Sequence, residues 1–344
     1  MTEVTSAAAA RGPLAMEATG LNKDFRLGRG QKLHAVRDVS LSLYQGAVVA
    51  LVGESGSGKS TVAKLLAGQE HLTSGSVLLN GEPVDVSTRR AFRRYKSQVQ
   101  LVFQDPFASL NPAHTVRYHL ERPVRLHQHR SSGAEVNKEV EALLEQVRLI
   151  PAAAFADKYP HELSGGQRQR VSFARALAAR PNVLLADEPV SMLDVSIRLE
   201  MLALLDDLRK RFQLAMLYIT HDIASARYFA DEILVMYAGR IVERGPAEDL
   251  TQQPAHPYTQ LLVASAPDPD NLGHGLRGLR RSTTAASGPA AAGCPFNPRC
   301  PFADDRCREE NPPPQLVSPQ RSAACWNLDL AAANVSDHAE ERQA

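Results

Sequence analysis

The sequence lacks several features that mark special classes of protein. No run of apolar residues approaches the roughly 20 residues that cross a bilayer; the longest, such as Ala47 to Val52, have the length of a strand. Positive and negative side chains nearly cancel, leaving a formal net charge of +1, so the charge balance does not indicate nucleic acid as a partner. With 44% hydrophobic and 22% charged residues, the chain has the composition of a globular protein with a buried core.

The start of the sequence does not have the pattern of an export signal. The first residues, 1–14, are rich in alanine but contain Glu3 and Arg11. They predict a flexible leader rather than an export signal, which places the protein in the cytoplasm.

In a reducing compartment such as the cytoplasm, a cluster of cysteines indicates a metal site rather than disulfides. All four cysteines fall in the last third of the sequence, separated by five, six and seventeen residues: Cys294, Cys300, Cys307 and Cys325.

The order of apolar patterns predicts an α/β fold. Alternation of apolar and polar residues from about Met16 to Leu43, with a turn at Gly28 to Gly30, predicts antiparallel strands. Short apolar runs and helical stretches then alternate, which predicts a mostly parallel sheet with helices on its faces. The runs are Val48 to Val52, Val99 to Phe103, Val183 to Ala186 and Ala215 to Ile219, and the first helical stretch is Lys59 to Ala67.

Three further stretches have distinct patterns. Between Asp105 and Gln167, prolines and a strand-poor stretch predict an inserted helical subdomain. Arg277 to Gly293 predicts a flexible linker before a small module rich in cysteine and proline, and a frayed end is expected from about Ala331. A helix from Val195 to Phe212 is expected to cover the sheet with one apolar stripe. Its members are Leu199, Leu202, Leu205, Leu208 and Phe212.

A glycine-rich loop follows the first buried strand. Residues 53–60, GESGSGKS, match the pattern G-x-x-x-x-G-K-[ST] and precede a helix. Such glycines let successive backbone N–H groups point at a phosphate, while Lys59 would reach the β- and γ-phosphates and Ser60 would ligate Mg²⁺. The alternative is a Gly/Ser-rich loop that matches by chance. The predicted nucleotide-binding residues are Gly53, Ser55, Gly56, Ser57, Gly58, Lys59, Ser60 and Thr61.

Two carboxylates end a later apolar strand. Val183 to Ala186 run directly into Asp187 and Glu188. Asp187 would hold Mg²⁺ through water, and Glu188 would polarise an attacking water. The alternative is a solvated strand end with no chemical role.

A second candidate anion site lies at residues 163–167, LSGGQ. Ser164 and the Gly165–Gly166 backbone would form a helix N-terminus, where anions bind. This segment resembles the signature motif of ATP-binding-cassette (ABC) ATPases. The resemblance implies that Ser164, Gly165, Gly166 and Gln167 serve the ATP held by an opposing subunit, so that two cassettes close head to tail over two nucleotides.

The same resemblance assigns four further positions. Phe25 would stack on adenine, with a core position as the alternative, and Gln104 would sense Mg²⁺ and the attacking water. Asp194 would contact the partner cassette, although Met192 stands where this family more commonly has alanine. His221 would hydrogen-bond the γ-phosphate, with a structural histidine as the alternative. The implied fold is a P-loop ABC nucleotide-binding domain with a RecA-like core, an antiparallel β subdomain and a helical subdomain.

Longer segments resemble the ATPases of dipeptide, oligopeptide and nickel permeases. They are residues 104–112, 159–164, 187–191 and 256–262, together with 293–301, which is similar to a C-terminal extension of that branch. The resemblance covers about 16–326 and implies a nucleotide-binding domain over 15–255, with its helical subdomain at about 105–178. The extension would occupy 256–330 and a flexible tail 331–344.

The cysteine spacing lacks the C-x-x-C of a zinc ribbon. Some peptide-permease ATPases carry a [4Fe–4S] cluster at matching cysteines, so the resemblance implies a cluster on Cys294, Cys300, Cys307 and Cys325. The alternative is a small module packed by reduced, buried thiols.

The resemblance implies the ATP-hydrolysing subunit of an importer, peripheral at the cytoplasmic face of the membrane. Its partners would be two transmembrane permease subunits, a second ATPase that is identical or a sister chain, and, through the permease, an extracytoplasmic substrate-binding protein. No nucleic acid is expected, because the basic stretch Arg89 to Lys96 is typical of a solvated helix face. Alternatives are a cassette ATPase acting on DNA or ribosomes, an exporter cassette, and a regulatory module without turnover.

Overall fold

The computed structural model describes residues 12–27, 31–105, 109–128, 132–266, 288–290 and 292–331. The predicted turn at 28–30 lies outside these residues, as do 1–11 of the predicted leader, most of the predicted linker and 332–344 of the predicted tail.

The first sheet is antiparallel, as the alternating pattern predicts. It contains the strands β1 (Leu14–Arg26), β2 (Lys32–Tyr44), β4 (Ser74–Leu79) and β5 (Glu82–Pro83), which lie in the order β2-β1-β4-β5. The long pair of β1 with β2 aligns Phe25 with Leu33 and has four register shifts between Leu14 and Asp24.

The second sheet contains eight strands and carries the parallel core. Its strands are β3 (Val48–Val52), β6 (Val99–Val102), β7 (Val183–Asp187), β8 (Ala215–Thr220), β9 (Glu232–Tyr237), β10 (Arg240–Pro246), β11 (Gln315–Ser318) and β12 (Arg321–Ala323). They lie in the order β11-β12-β10-β9-β3-β8-β7-β6, and the pairs from β9 to β6 are parallel. All residues of β3, β7 and β8 are buried, because one face of the sheet packs against the first sheet and α1 and the other face packs against further helices. The predicted parallel strands are confirmed.

Helices fill the connections between these strands. They are α1 (Lys59–Leu66), α2 (Arg89–Gln98), α3 (Val116–His127), α4 (Gly133–Gln146), α5 (Ala152–Ala156), α6 (Gly165–Leu177), α7 (Val195–Phe212), α8 (Ile223–Phe229), α9 (Ala247–Gln252), α10 (Pro257–Ser265) and α11 (Asp305–Glu309). Four of them, α3 to α6, lie between β6 and β7. Within the described ranges, no helix combines the length and the apolar character that a membrane span requires.

Helix α7 has the predicted bounds, but part of its predicted stripe is wrong. Leu202, Leu205 and Leu208 are buried, whereas Leu199 is 51% exposed and Phe212 is 38% exposed. Leu199 lies about 120° around the helix axis from Leu205 at 3.6 residues per turn, and Phe212 is the last helical residue. Met201 and Leu204 complete the buried face instead.

The cysteine-rich region extends the main sheet. Strand β12 pairs antiparallel with β10, aligning Glu243 with Ala323, and β11 pairs with β12. The expectation of fraying from Ala331 is wrong at that residue, which is fully buried and whose carbonyl accepts a 2.9 Å hydrogen bond from Gln260 Nε2. The C-terminal region is therefore part of the eight-stranded sheet. The domain boundary predicted between residues 255 and 256 stays a prediction.

Candidate active site

The glycine-rich loop joins β3 to α1, and its backbone conformation requires glycine at several positions. Gly56 has φ +81° and Gly58 has φ +106°, in the left-handed region that other residues rarely adopt. A Cβ atom on Gly53 would lie 2.2 Å from the Met236 carbonyl oxygen, and one on Gly58 would lie 2.3 Å from the Ala35 carbonyl oxygen. The loop is thus closely packed against its neighbours. The first N–H groups of α1 lack acceptors within the helix, which makes this end an anion site.

Lys59 is held across this loop. Its Nζ atom donates to the carbonyl oxygens of Gly53 at 2.7 Å and Glu54 at 2.9 Å, and the residue is 4% exposed. Burial lowers the pKa of Lys59, while the carboxylates of Glu188, Asp187 and Glu54 act against that shift. A poorly solvated ammonium at a helix N-terminus is suited to binding a polyanion.

A hydroxyl and a carboxylate meet beside the loop. Ser60 Oγ donates to Asp187 Oδ1 at 3.1 Å, although the residues are 127 positions apart. Burial raises the pKa of Asp187, and the hydrogen bond from Ser60 opposes this. Hydroxyl and carboxylate oxygens are the ligands that Mg²⁺ prefers, so this pair fits that ion. Thr61 follows on α1 and is half-buried.

Two side chains that follow neighbouring strands converge on one carboxylate oxygen at the end of a third strand. Gln104 Nε2 donates to Glu188 Oε2 at 3.0 Å, and His221 Nδ1 lies 3.3 Å from the same oxygen. Glu188 has φ +45°, an unusual conformation for a residue with a side chain and one that clusters at functional sites. Because parallel strands end at one edge of the sheet, residues far apart in sequence meet here.

The LSGGQ segment begins α6 with a reciprocal cap. Ser164 Oγ accepts from the Gln167 backbone N–H at 3.2 Å, and Gln167 Oε1 accepts from the Ser164 N–H at 3.0 Å. A Cβ atom on Gly166 would lie 3.0 Å from Ile197 Cγ2, so glycine lets α7 approach. Gly165 lies beside it at the same helix start. Ser164 is exposed, so this helix end faces solvent.

The segment before α7 lies next to that helix end, where a Cβ atom on Gly165 would lie 3.9 Å from Leu193 Cδ2. The Asp194 carbonyl oxygen accepts from the Arg198 N–H at 2.8 Å, and the nearby Met192 and Val195 are 58% and 71% exposed. Phe25 is half-buried on β1 with Lys23 Nζ 4.8 Å from its ring centroid. The roles predicted for Asp194 and Phe25 stay predictions.

Two residues at this site were not predicted from the sequence. The Glu54 N–H donates to Tyr258 Oη at 2.8 Å, and the Arg299 guanidinium donates to both carboxylate oxygens of Glu54 at 2.9 and 2.8 Å. These partners are 204 and 245 residues from Glu54 in sequence. Local patterns carry no signal for such contacts, and the segments containing both residues were noted only for their family resemblance.

The four cysteines are free thiols that line one small cavity, with His256 and Trp326 among its other lining residues. Burial raises the pKa of Cys300 to about 12 and that of Cys325 to about 11, favouring neutral thiols. Within the described ranges, no group of three or more His, Cys, Asp or Glu side chains is arranged to hold a metal ion. The predicted [4Fe–4S] cluster gains no support from this arrangement, which agrees with the alternative of packed thiols.

The loop, the buried lysine and the two carboxylates at the end of one parallel strand define a P-loop ATPase. The family model for ABC transporters matches residues 36–191, and the model for the C-terminal region of oligopeptide/dipeptide transporters matches residues 242–307. The chain belongs to the ABC transporter family, among the ATP-binding subunits that carry this C-terminal region. The predicted family, P-loop fold and ATPase activity are therefore confirmed.

Individual relatives agree with this assignment. The chain is 40% identical over 321 residues to the di/tripeptide transport ATP-binding protein DppF of Pseudomonas aeruginosa, covering 91% of this chain and 98% of the relative. It is 39% identical to the dipeptide transport ATP-binding protein DppF of Haemophilus influenzae, covering 91% and 97%.

Solved structures are also similar. One is a dimeric ATP-binding cassette in a post-hydrolysis state with ADP and Pi, at 29% identity and a TM-score of 0.61, covering 67% of this chain and 98% of that one. Another is cbiO1 of Clostridium perfringens, part of an ABC transporter complex, at 27% identity and a TM-score of 0.61, covering 69% and 90%.

Proposed function

We propose that this ATPase powers the import of di- or oligopeptides as a subunit of a membrane transporter. The observation that carries the catalytic part is the convergence of Gln104 and His221 on Glu188, beside the Ser60–Asp187 pair. Relatives whose names specify peptide transport, matched over nine-tenths of the chain, support a peptide cargo.

The phosphate-binding loop would bind the triphosphate of ATP. Its backbone N–H groups, the start of α1 and the Lys59 ammonium would surround the β- and γ-phosphates. Ser60 and Asp187 would hold Mg²⁺, directly or through water, and this ion would neutralise charge on the phosphate oxygens. Phe25 would stack on the adenine ring.

Hydrolysis requires an oriented water. Glu188 would accept a hydrogen bond from this water and then its proton, as the water oxygen bonds to the γ-phosphorus and the bond to the β–γ bridging oxygen breaks. Gln104 and His221 both contact the Oε2 atom of Glu188. His221 would move to donate a hydrogen bond to the γ-phosphate once ATP is bound.

A second cassette would complete the site. The exposed Ser164 at the start of α6, with Gly165 and Gly166 beside it, would contact the γ-phosphate held by the opposing cassette. The exposed apolar side chains of Met192 and Val195 next to Asp194 support a protein contact on the same face. We assign the other ATPase, two permease subunits and a substrate-binding protein as partners, with this chain at the cytoplasmic face.

A cassette ATPase acting on DNA or ribosomes is not favoured. The relatives are transport proteins, and a match to the oligopeptide/dipeptide transporter C-terminal region accompanies the cassette match. The arginines of α2 lie on an amphipathic, mostly exposed helix, which is typical of a solvated face.

The transport proposal is tested on the assembled complex. We expect the tagged full-length chain, recovered from membranes of its own cells, to bring down two multispanning proteins. In proteoliposomes this complex should take up labelled dipeptide in the presence of ATP and the substrate-binding protein. The Lys59→Ala complex, which lacks the ammonium beside the phosphates, is the control and should show no uptake. Recovery of ribosomes or DNA in place of membrane proteins would contradict the proposal.

The [4Fe–4S] cluster is a separate proposal: the four thiols line one cavity, although the described residues form no group arranged to hold a metal ion. Anaerobically purified protein is expected to contain about four iron and four sulfide ions per chain, with broad absorbance at about 400 nm. A variant with all four cysteines changed to serine is the control. Finding neither iron nor sulfide would reject the cluster and leave the thiols as packing groups.

A further inference from the structure

The C-terminal region contacts the phosphate-binding loop through Glu54. The Arg299 guanidinium forms a two-pronged ion pair with the Glu54 carboxylate, and Tyr258 Oη accepts from the Glu54 N–H. The Glu54 carbonyl oxygen accepts from Lys59 Nζ at 2.9 Å. Glu54 thus connects two residues of the C-terminal region to the lysine of the ATP site.

The surroundings fix Arg299 in place. Its guanidinium carbon lies 5.8 Å from the Tyr237 ring centroid and 5.5 Å from that of Phe296, and its side chain is 18% exposed. Phe296 and Tyr258 are almost fully buried and pack against Tyr237. The Glu54 side chain is 43% exposed, so the strength of the pair comes from its forked geometry and from the aromatic rings that hold Arg299.

The pair also balances charge beside the site. Glu54 is the second residue of the loop that would surround the phosphates, and its carboxylate would repel ATP if it were unpaired. The Arg299 guanidinium cancels that charge at hydrogen-bond distance. Its removal would leave an unpaired carboxylate next to the binding site of a polyanion and release the peptide unit that accepts from Lys59.

We propose that Arg299 is a positioning residue of the ATP site, which holds Glu54 and Lys59 in place and neutralises the loop carboxylate. The C-terminal region then contributes a residue that supports the nucleotide site. This inference rests on the proposed ATPase function of that site and adds a residue outside the matched cassette segment 36–191.

The test compares steady-state ATP hydrolysis by the full-length wild type with that of Arg299→Ala. Losing a charge-assisted hydrogen-bonded pair costs roughly a factor of ten, so we expect KM for Mg·ATP to rise about tenfold while kcat changes less than about threefold. Arg306→Ala removes an arginine of the same region, stacked on Trp326 away from the loop, and is expected to retain the wild-type KM.

A second variant separates charge balance from simple structural damage. In Arg299→Ala combined with Glu54→Gln, no unpaired carboxylate remains, and we expect most of the affinity for Mg·ATP to return. Binding is measured by calorimetric titration in a Glu188→Gln background, which prevents turnover. A wild-type KM in Arg299→Ala, or a double variant that binds as weakly as Arg299→Ala, would overturn the inference. Absence of hydrolysis in the wild type would instead reject the proposed function.

Discussion

Glu188→Gln is expected to bind Mg·ATP with near wild-type affinity and to hydrolyse it at least about a hundredfold more slowly, the usual loss for one general base. The amide has the same shape and still accepts hydrogen bonds, but it does not take a proton from water. Gln104 and His221 retain a partner, so the site should stay assembled. Single-turnover hydrolysis and calorimetric titration of Mg·ATP measure the two quantities separately.

The control for this variant is Glu145→Gln, which makes the same change at an exposed position on α4. It should hydrolyse ATP at the wild-type rate. A near-normal rate in Glu188→Gln would remove this residue from the role of general base. Loss of ATP binding together with turnover would instead assign Glu188 to holding the nucleotide.

Arg321→Met is expected to lower the free energy of unfolding by about 3–5 kcal/mol, the cost of breaking a buried ion pair from one side. Arg321 Nη2 lies 3.2 Å from Glu243 Oε1, with side-chain exposures of 6% and 0%. Glu243 also accepts from the backbone N–H groups of Ala255 at 2.9 Å and His256 at 2.8 Å. Methionine preserves much of the side-chain volume but leaves the carboxylate without its counter-charge.

Urea unfolding monitored by circular dichroism measures this loss. Arg308→Met is the matched control, because the Arg308–Asp305 pair is largely exposed and such pairs contribute at most about 1 kcal/mol. Adding Glu243→Gln to Arg321→Met should recover part of the stability, since no buried charge remains. Equal, small losses in Arg321→Met and Arg308→Met would show that the buried pair does not stabilise the fold.

Much of the ATP site could be predicted because its signals are local. The pattern of residues 53–60 requires glycines at positions whose backbone is left-handed or closely packed, and Gly53, Gly56 and Gly58 have these properties. Apolar runs ending in polar residues place Asp187 and Glu188 at a strand end. Because parallel strands end at the same edge of the sheet, Gln104 and His221 also lie there, and both contact Glu188.

The remaining features depend on contacts between distant segments. The pairing of β12 with β10 and the ion pair of Arg299 with Glu54 join residues about 80 and 245 positions apart, and short-range periodicity does not encode them. The α7 stripe failed at Leu199 for a related reason. The spacing of apolar residues along a helix predicts which side of the helix is buried. How many residues of that side are buried depends on the elements that pack against it.

The addition of β12 to β10 has a consequence for how this chain can be divided. If the polypeptide were cut near residue 255, the backbone groups of β10 that now bond to residues 322 and 323 would become an open sheet margin. Open margins recruit strands from other molecules, which leads to aggregation. Residues 315–323 therefore cover the edge of β10, and the short strand β11, four residues long, becomes the edge of the sheet instead.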